Sequence, residues 1–210
     1  MAISLEEFRK FIEENKGKRK FKQSIELAVN FKNVDFTKQD ERLNLDVLLP
    51  NAKGKSKKLA VFANDKALIE DAKKNSIEVI EGSEFEAVKG DPKRLNALLS
   101  YDLVAQQALM PSIAKSFGQF LGPRGKMPRP LPPNAKLGAM QGELSRRIQL
   151  RSKGKYLPTV HSIVGSEDME PEKVYQNINE VLGALSKKLG QNRLKSAYVK
   201  MTMSKPVRFM

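Results

Sequence analysis

Residues 20–31 alternate without interruption. Phe21, Gln23, Ile25, Leu27, Val29 and Phe31 share one phase, and Lys20, Lys22, Ser24, Glu26, Ala28 and Asn30 share the other. Successive side chains of a strand point to opposite faces, so this segment is predicted to be a strand with one apolar and one polar face, the pattern of a sheet covered on one side. Leu43, Leu45, Val47 and Leu49 repeat the pattern, which predicts that the two segments belong to one antiparallel sheet. Ser196–Ser204 does so again, with Ala197, Val199 and Met201 alternating against Ser196, Tyr198, Lys200 and Thr202. Both ends of the chain therefore ask for a half-covered sheet.

The middle differs. Leu59–Ala63, Ile77–Ile80 and Leu103–Ala105 are short apolar runs of the kind buried on both faces. Helical candidates lie at Lys66–Asn75, Glu84–Lys89, Pro92–Leu99, Pro111–Phe117 and Gly138–Arg146. Strands alternating with helices predict a parallel sheet with helices on its faces. The chain thus divides into a terminal α+β domain built from both ends, residues 1–57 plus 147–210, and an inserted α/β domain, residues 58–146. Pro50–Lys58, with Asn51, Gly54 and four lysines, reads as the linker into the insertion.

Two further helices have clear boundaries. Ser4 with Glu7 is a capping box ahead of Leu5, Phe8, Phe11 and Ile12 at helical spacing. Pro171 opens a second helix, Val174, Ile178, Val181, Leu182, Leu185 and Leu189 form its apolar stripe, and Gly190 stops it. In Gly118–Asn134 five prolines and three glycines surround Arg124, Lys126 and Arg129 with no acidic residue. Proline fixes φ and lacks an N–H, so this stretch is predicted to be a stiff cationic loop rather than a helix or a central strand.

Charge points to the partner. The chain has 38 Lys+Arg against 24 Asp+Glu, a net charge of +14, with a pI near 9.9. That balance suits a polyanion, nucleic acid above all. Residues 58–146 hold 13 basic and 10 acidic residues, and the two ends hold 25 and 14. The ends are therefore the surface expected to face the nucleic acid, because phosphate neutralisation supplies much of such affinity. No apolar stretch reaches the length of a membrane-spanning helix, and the N-terminus does not read as a secretory signal. With no cysteine and one histidine, His161, the chain cannot build a disulfide, a thiolate site or a multi-histidine metal site. No cofactor, no metal and a cytoplasmic location are expected.

Four segments, KFKQSIELAVNFKNVD, LGPRGKMPRP, the strand through His161 to Gly165, and SAYVKMTMSKPVRF, together resemble the L-one family of ribosomal proteins over essentially the whole chain. The KMPRP wording resembles its archaeal branch. The resemblance implies two domains around an open groove, the inserted one Rossmann-like. It implies a constituent of the large ribosomal subunit that binds the stalk region of large-subunit rRNA and assists release of deacylated tRNA from the exit site. It also implies a translational repressor binding its own mRNA, and a monomer when free. Carried over by position, the family's RNA-binding residues fall on Lys20, Phe21, Ser24, Glu26, His161, Ser196, Thr202 and Met203. Hydroxyls, a carboxylate and backbone groups on a rigid sheet can read the 2′-hydroxyls of an RNA minor groove.

Pattern alone reads several of these differently. Ser24, Glu26, Ser196 and Thr202 are ordinary solvated residues of polar strand faces, while Phe21 and Met203 are in phase with the core. At Ser204 the family pattern is glycine, so the added Cβ and hydroxyl are expected to weaken or locally rearrange binding. Ser204→Gly should then shift affinity for the specific RNA, and an affinity unchanged within error would defeat the idea. Arg151, Lys153 and Lys155 form a basic turn suited to phosphates. Arg124, Lys126 and Arg129 are secondary RNA candidates. Two short connections, near Lys57 and Arg146, predict hinge motion.

Two other functions compete. A nucleotide-binding α/β enzyme is disfavoured, because Gly118, Gly122 and Gly125 have the spacing GxxxGxxG, not the dinucleotide fingerprint, and no P-loop occurs. A tRNA- or mRNA-binding regulator without ribosomal residence would use the same surface, and co-sedimentation with large subunits at high salt separates it.

Overall fold

The structure is a computed structural model that describes residues 3–54, 58–132, 136–152 and 157–210. In chain order the elements are α1 (Leu5–Asn15), β1 (Ser24–Phe31), β2 (Asn44–Leu48), β3 (Leu59–Phe62), α2 (Lys66–Lys74), β4 (Glu78–Ile80), α3 (Phe85–Gly90) and α4 (Pro92–Ala97). There follow β5 (Asp102–Gln106), α5 (Met110–Leu121), β6 (Arg129–Leu131), α6 (Leu137–Arg146), β7 (Arg147–Arg151), β8 (Thr159–Ser166), α7 (Pro171–Leu189), β9 (Leu194–Met201) and β10 (Val207–Arg208). They group into two compact units, Met1–Ser56 with Ser145–Met210, and Lys57–Leu144.

The terminal unit carries a four-stranded antiparallel sheet in the order β10-β9-β1-β8. Its core face presents Ile25, Leu27, Val29 and Phe31 with Val160, Val164, Ala197, Val199 and Met201, all buried in one cluster with Phe8, Phe11 and Ile12 of α1 and Val174, Ile178, Val181 and Leu185 of α7. Each large side chain so buried contributes about 1.5–3 kcal/mol, which is why the apolar phase of these strands selects the face. Helix α1 begins at the capping box, with the Ser4 side chain accepting from the Glu7 N–H and the Glu7 carboxylate accepting from the Ser4 N–H. Helix α7 ends at Gly190, where φ of +92° admits glycine readily. At Gly165 a Cβ would lie 2.8 Å from a Val174 methyl, so the absent side chain lets β8 approach α7.

Two expectations about this unit fail. The segment around Leu45 does not join the sheet of β1: β2 pairs instead with β7 in a separate antiparallel ribbon, Asn44 opposite Arg151 and Leu48 opposite Arg147. Alternation reports which face is buried and carries no information about the partner strand. Nor is the start of Pro50–Lys58 a free linker. Asn51 exchanges hydrogen bonds with Asn177 of α7 at 3.0 and 3.2 Å, and Lys53 Nζ donates to the Arg147 carbonyl at 2.6 Å. Residues 55–57 lie outside the described residues.

The inserted unit holds a parallel sheet in the order β4-β3-β5-β6. Phe62, Phe85, Ile113, Phe117 and Leu121 pack on one of its faces, and Val61, Ala72, Leu137 and Leu144 on the other. Because both faces are covered, its strands read as continuous apolar runs. The Pro/Gly segment departs from expectation at its start, since Gly118–Leu121 complete the last turns of α5. Phe117 and Leu121, four residues apart, are both fully buried, and that packing outweighs the poor helix propensity of Gly118. Further on, Arg129–Leu131 form β6 at the sheet edge, a position where Pro130 is tolerated. Ser145 and Arg146, the end of α6, belong with the terminal unit. Their carbonyls accept from the N–H groups of Lys53 and Leu49. No described helix is long and apolar enough to cross a membrane.

Candidate nucleic-acid interface

Strand register places the predicted residues. Opposite residues of an antiparallel pair share a face, so the sheet face turned from α1 and α7 can be read in rows. Thr159, Asn30 and Ser196 form the first, His161, Ala28 and Tyr198 the second, and Ile163, Glu26 and Lys200 the third. A bulge between Ile25 and Glu26 keeps Ile163 in this last row, while Gly165 faces Ile25. Beyond the third row lie Ser24 and the turn that follows β9.

The first row is a hydrogen-bonded chain. Thr159 Oγ1 donates to Asn30 Oδ1 at 2.9 Å, and Asn30 Nδ2 donates to Ser196 Oγ at 3.0 Å. Ser196 is therefore buried and engaged rather than solvated. In the second row the small Ala28 separates the exposed His161 ring from the Tyr198 ring. Glu26 is the one acid in these three rows of described residues, and Lys200 stands directly across from it.

At the end of the sheet Thr202 clasps Ser24. Its N–H donates to the Ser24 carbonyl and its Oγ1 accepts from the Ser24 N–H, each at 3.1 Å. Phe21 and Met203 lie just outside the strands and are 49 % and 56 % exposed, so their phase does not carry them into the core. Two apolar side chains of this size are thus left in water at one end of the sheet. Ser204 turns its hydroxyl back, Oγ accepting from the Met201 N–H at 2.8 Å and donating to the Lys205 carbonyl at 3.0 Å. Its backbone φ is not positive.

Cations rim this end. Lys16, Lys18, Arg19, Lys20 and Lys22 are all exposed between α1 and β1. Lys22 Nζ pairs with Asp168 Oδ2 at 2.6 Å, and that hydrogen bond and charge hold its ammonium pKa above the usual lysine value. Arg151 is exposed at the end of β7, on the ribbon rather than the four-stranded sheet. Lys153 and Lys155 lie outside the described residues.

The secondary candidates in the inserted unit make local contacts. The Arg124 guanidinium stacks 4.0 Å from the centre of the Phe120 ring and donates to the Phe120 carbonyl at 2.8 Å. Lys126 Nζ donates to the Tyr101 carbonyl at 2.9 Å and lies 3.7 Å from Asp102 Oδ1. Arg129 is partly buried on β6 opposite Val104. A cleft of about 870 Å³ opens in this unit, lined by Asp65, Asp71, Gln106 and Lys136 among others. It lies past the ends of β3 and β5, where the strand order reverses and α/β proteins bind nucleotides. Its first strand-to-helix turn, Ala63-Asn64-Asp65, has no glycine to admit a phosphate, and Asp65 caps α2 itself.

Sequence reasoning missed Asn30, Thr159 and Gln23. Asn30 and Thr159 matter through their bonds to Ser196, which alternation cannot reveal. Gln23 carried a usable signal: it is a polar residue in an apolar phase.

Comparison with known proteins gives one consistent answer. The profile of the "Ribosomal protein L1p/L10e family" matches residues 10–205. A Thermococcus kodakarensis protein named "Large ribosomal subunit protein uL1" is 38 % identical, covering 99 % of each chain. Proteins of the same name from Pyrococcus horikoshii and Methanocella arvoryzae are each 37 % identical, over 99 % and 93 % of this chain and 97 % and 93 % of their own. The matched span takes in three of the four strands of the half-covered sheet, β1, β8 and β9, with the turn after β9 and the whole inserted unit. The chain belongs, in its archaeal form, to the ribosomal protein L1p/L10e family.

Proposed function

We propose that this protein is a structural, non-enzymatic constituent of the large ribosomal subunit in the cytoplasm. It grips the stalk region of large-subunit rRNA with the outer face of the four-stranded sheet and the turn after β9. The observation that carries this reading is the end of that face, where Phe21 and Met203 stand exposed beside clasped Ser24 and Thr202 and a cationic rim. The names of the relatives support the ribosomal setting. The two compact units act as domains, the terminal one reading RNA and the inserted one, through Arg124, Lys126 and Arg129, touching the exit-site tRNA whose release the protein assists. The same sheet face binds the protein's own mRNA and represses its translation. Free in solution the protein is a monomer.

Binding to an archaeal stalk rRNA fragment and to a scrambled RNA of equal length, across a salt series, tests this. Base stacking on an aromatic side chain is worth about 1–3 kcal/mol. The double variant Phe21→Ala, Met203→Ala is therefore expected to lose about 10- to 100-fold affinity for the stalk fragment, with the scrambled RNA and the salt slope unaffected. Equal affinity of the wild type for both RNAs, falling together as salt rises, would leave only a basic protein attracted to phosphates.

A further inference from the structure

Gln23 is 2 % exposed and Glu167 beside it 7 %, two of the few buried polar side chains among the described residues. The Gln23 amide joins three segments that are remote in the chain. Its Nε2 donates to the Asn15 carbonyl at the end of α1 at 3.2 Å and to Glu167 Oε2, between β8 and α7, at 3.4 Å. Its Oε1 accepts from the Met203 N–H at 3.1 Å. The Gln23 carbonyl in turn accepts from the Glu167 N–H at 3.0 Å.

We propose that Gln23 is the positioning residue of the RNA-reading end of the sheet, holding Phe21 and Met203 in their exposed, preorganised places through these bonds. The proposal rests on the RNA-binding reading above. Phe21 is two residues away along the backbone, and Met203 is tied to the amide by its own N–H. Neither side chain is anchored by burial, so the backbone beneath them must be fixed by something else. Met201 N–H is met by Ser204 and Ser24 by Thr202, which leaves the Met203 N–H to Gln23.

Only an amide suits this place. It offers donors toward a carbonyl and a carboxylate, and an acceptor toward an N–H, at one end of one side chain. A carboxylate at position 23 can only accept, and would face Glu167 at the same distance. An apolar residue fills the space but leaves the Met203 N–H without its partner.

The test uses the full-length protein as wild type, Gln23→Met and Gln23→Glu, with the archaeal stalk fragment and the scrambled RNA, together with thermal unfolding. Both variants are expected to bind the stalk fragment about tenfold or more weaker at pH 7.5, with scrambled-RNA affinity and salt slope unchanged. Gln23→Glu also has a signature that simple destabilisation lacks. The charged groups around the introduced carboxyl are Glu167 and the Lys22–Asp168 ion pair, while α1 and the turn after β9 meet it with the Asn15 carbonyl, Met201 sulfur and Met203 N–H. Burial against Glu167 raises the pKa of the introduced carboxyl. It is therefore charged, and binding impaired, above that pKa, and binding recovers as pH falls through it and the protonated carboxyl donates to Glu167.

As the ratio to wild type at each pH, which cancels effects common to all three proteins, the deficit of Gln23→Glu should shrink toward pH 5 while that of Gln23→Met stays constant. Gln23→Met carries the test if Gln23→Glu does not fold. Wild-type affinity in both variants, or equal losses for both RNAs in step with lowered Tm, overturns the proposal. A wild type that does not distinguish the two RNAs removes the RNA-binding reading itself, and the proposal falls with it.

Discussion

Phe117→Ala is expected to destabilise the inserted unit by about 3–5 kcal/mol, the cost of deleting a fully buried aromatic ring and leaving a cavity. Phe117 is 0 % exposed. Its ring centre lies 5.4 Å from that of Phe85 at 73° and 5.9 Å from that of Phe62, and these two meet at 5.7 Å and 80°. The three rings close a triangle across β3, α3 and α5, so no neighbour can swing in without breaking another edge-to-face pair. A domain of this size is stable by only about 5–10 kcal/mol, and the variant unit should stand near its unfolding threshold. If the two units are domains, urea should resolve an early transition from a late one. Specific RNA affinity should survive the first. One merged transition, with RNA affinity lost in step, would count against independent domains.

The second large effect is expected at Asn177. This residue is 0 % exposed and sits inside the apolar stripe of α7. Its Oδ1 accepts from the Asn51 N–H at 3.0 Å, and its Nδ2 donates to the carbonyls of Val164 at 2.8 Å and Asn51 at 3.2 Å. Asn177→Leu keeps the bulk but strands three backbone groups, each costing about 1–3 kcal/mol when buried and unpaired. The expected loss is about 3 kcal/mol or more, a fall in Tm of about 10 °C for a protein of this length. Thermal unfolding checks it. A loss under about 0.5 kcal/mol would mean that the segment around Asn51 relaxes to water at little cost.

Asn177 and Gln23 also mark where the sequence stops being readable. Helix ends were legible because their causes are local: Ser4 with Glu7, Pro171, Gly190. Burial on β1 was legible from Ile25 to Phe31, where period two is enforced by the core. It misled at Phe21 because the strand begins at Ser24, and periodicity does not say where a strand starts. The pairing of β2 with β7 rather than β1 could not be foreseen, since it depends on which edges the rest of the chain leaves open. For the candidate site, the places of Ser24, Glu26 and Ser196 on the polar faces of their strands followed from phase, while His161 came only from the resemblance. The bonds that hold the face rigid did not, because they join residues 129, 166 and 180 positions apart.

The sheet has a consequence for the making of this protein. β1 is flanked by β8 and β9, and the Ile3 N–H donates to the Phe209 carbonyl at 2.7 Å, so the segment leading into α1 lies beside the one that follows β10. Until β9 leaves the peptide exit tunnel, one edge of β1 has no partner and the turn bearing Thr202 and Met203 does not exist. A nascent chain can complete the inserted unit early, because all four of its strands lie between residues 59 and 131. Its terminal unit must wait for β9. The outer face of the four-stranded sheet is thus the last part of the terminal unit to form, and a fragment that stops short of β9 would carry much of the positive charge without that face.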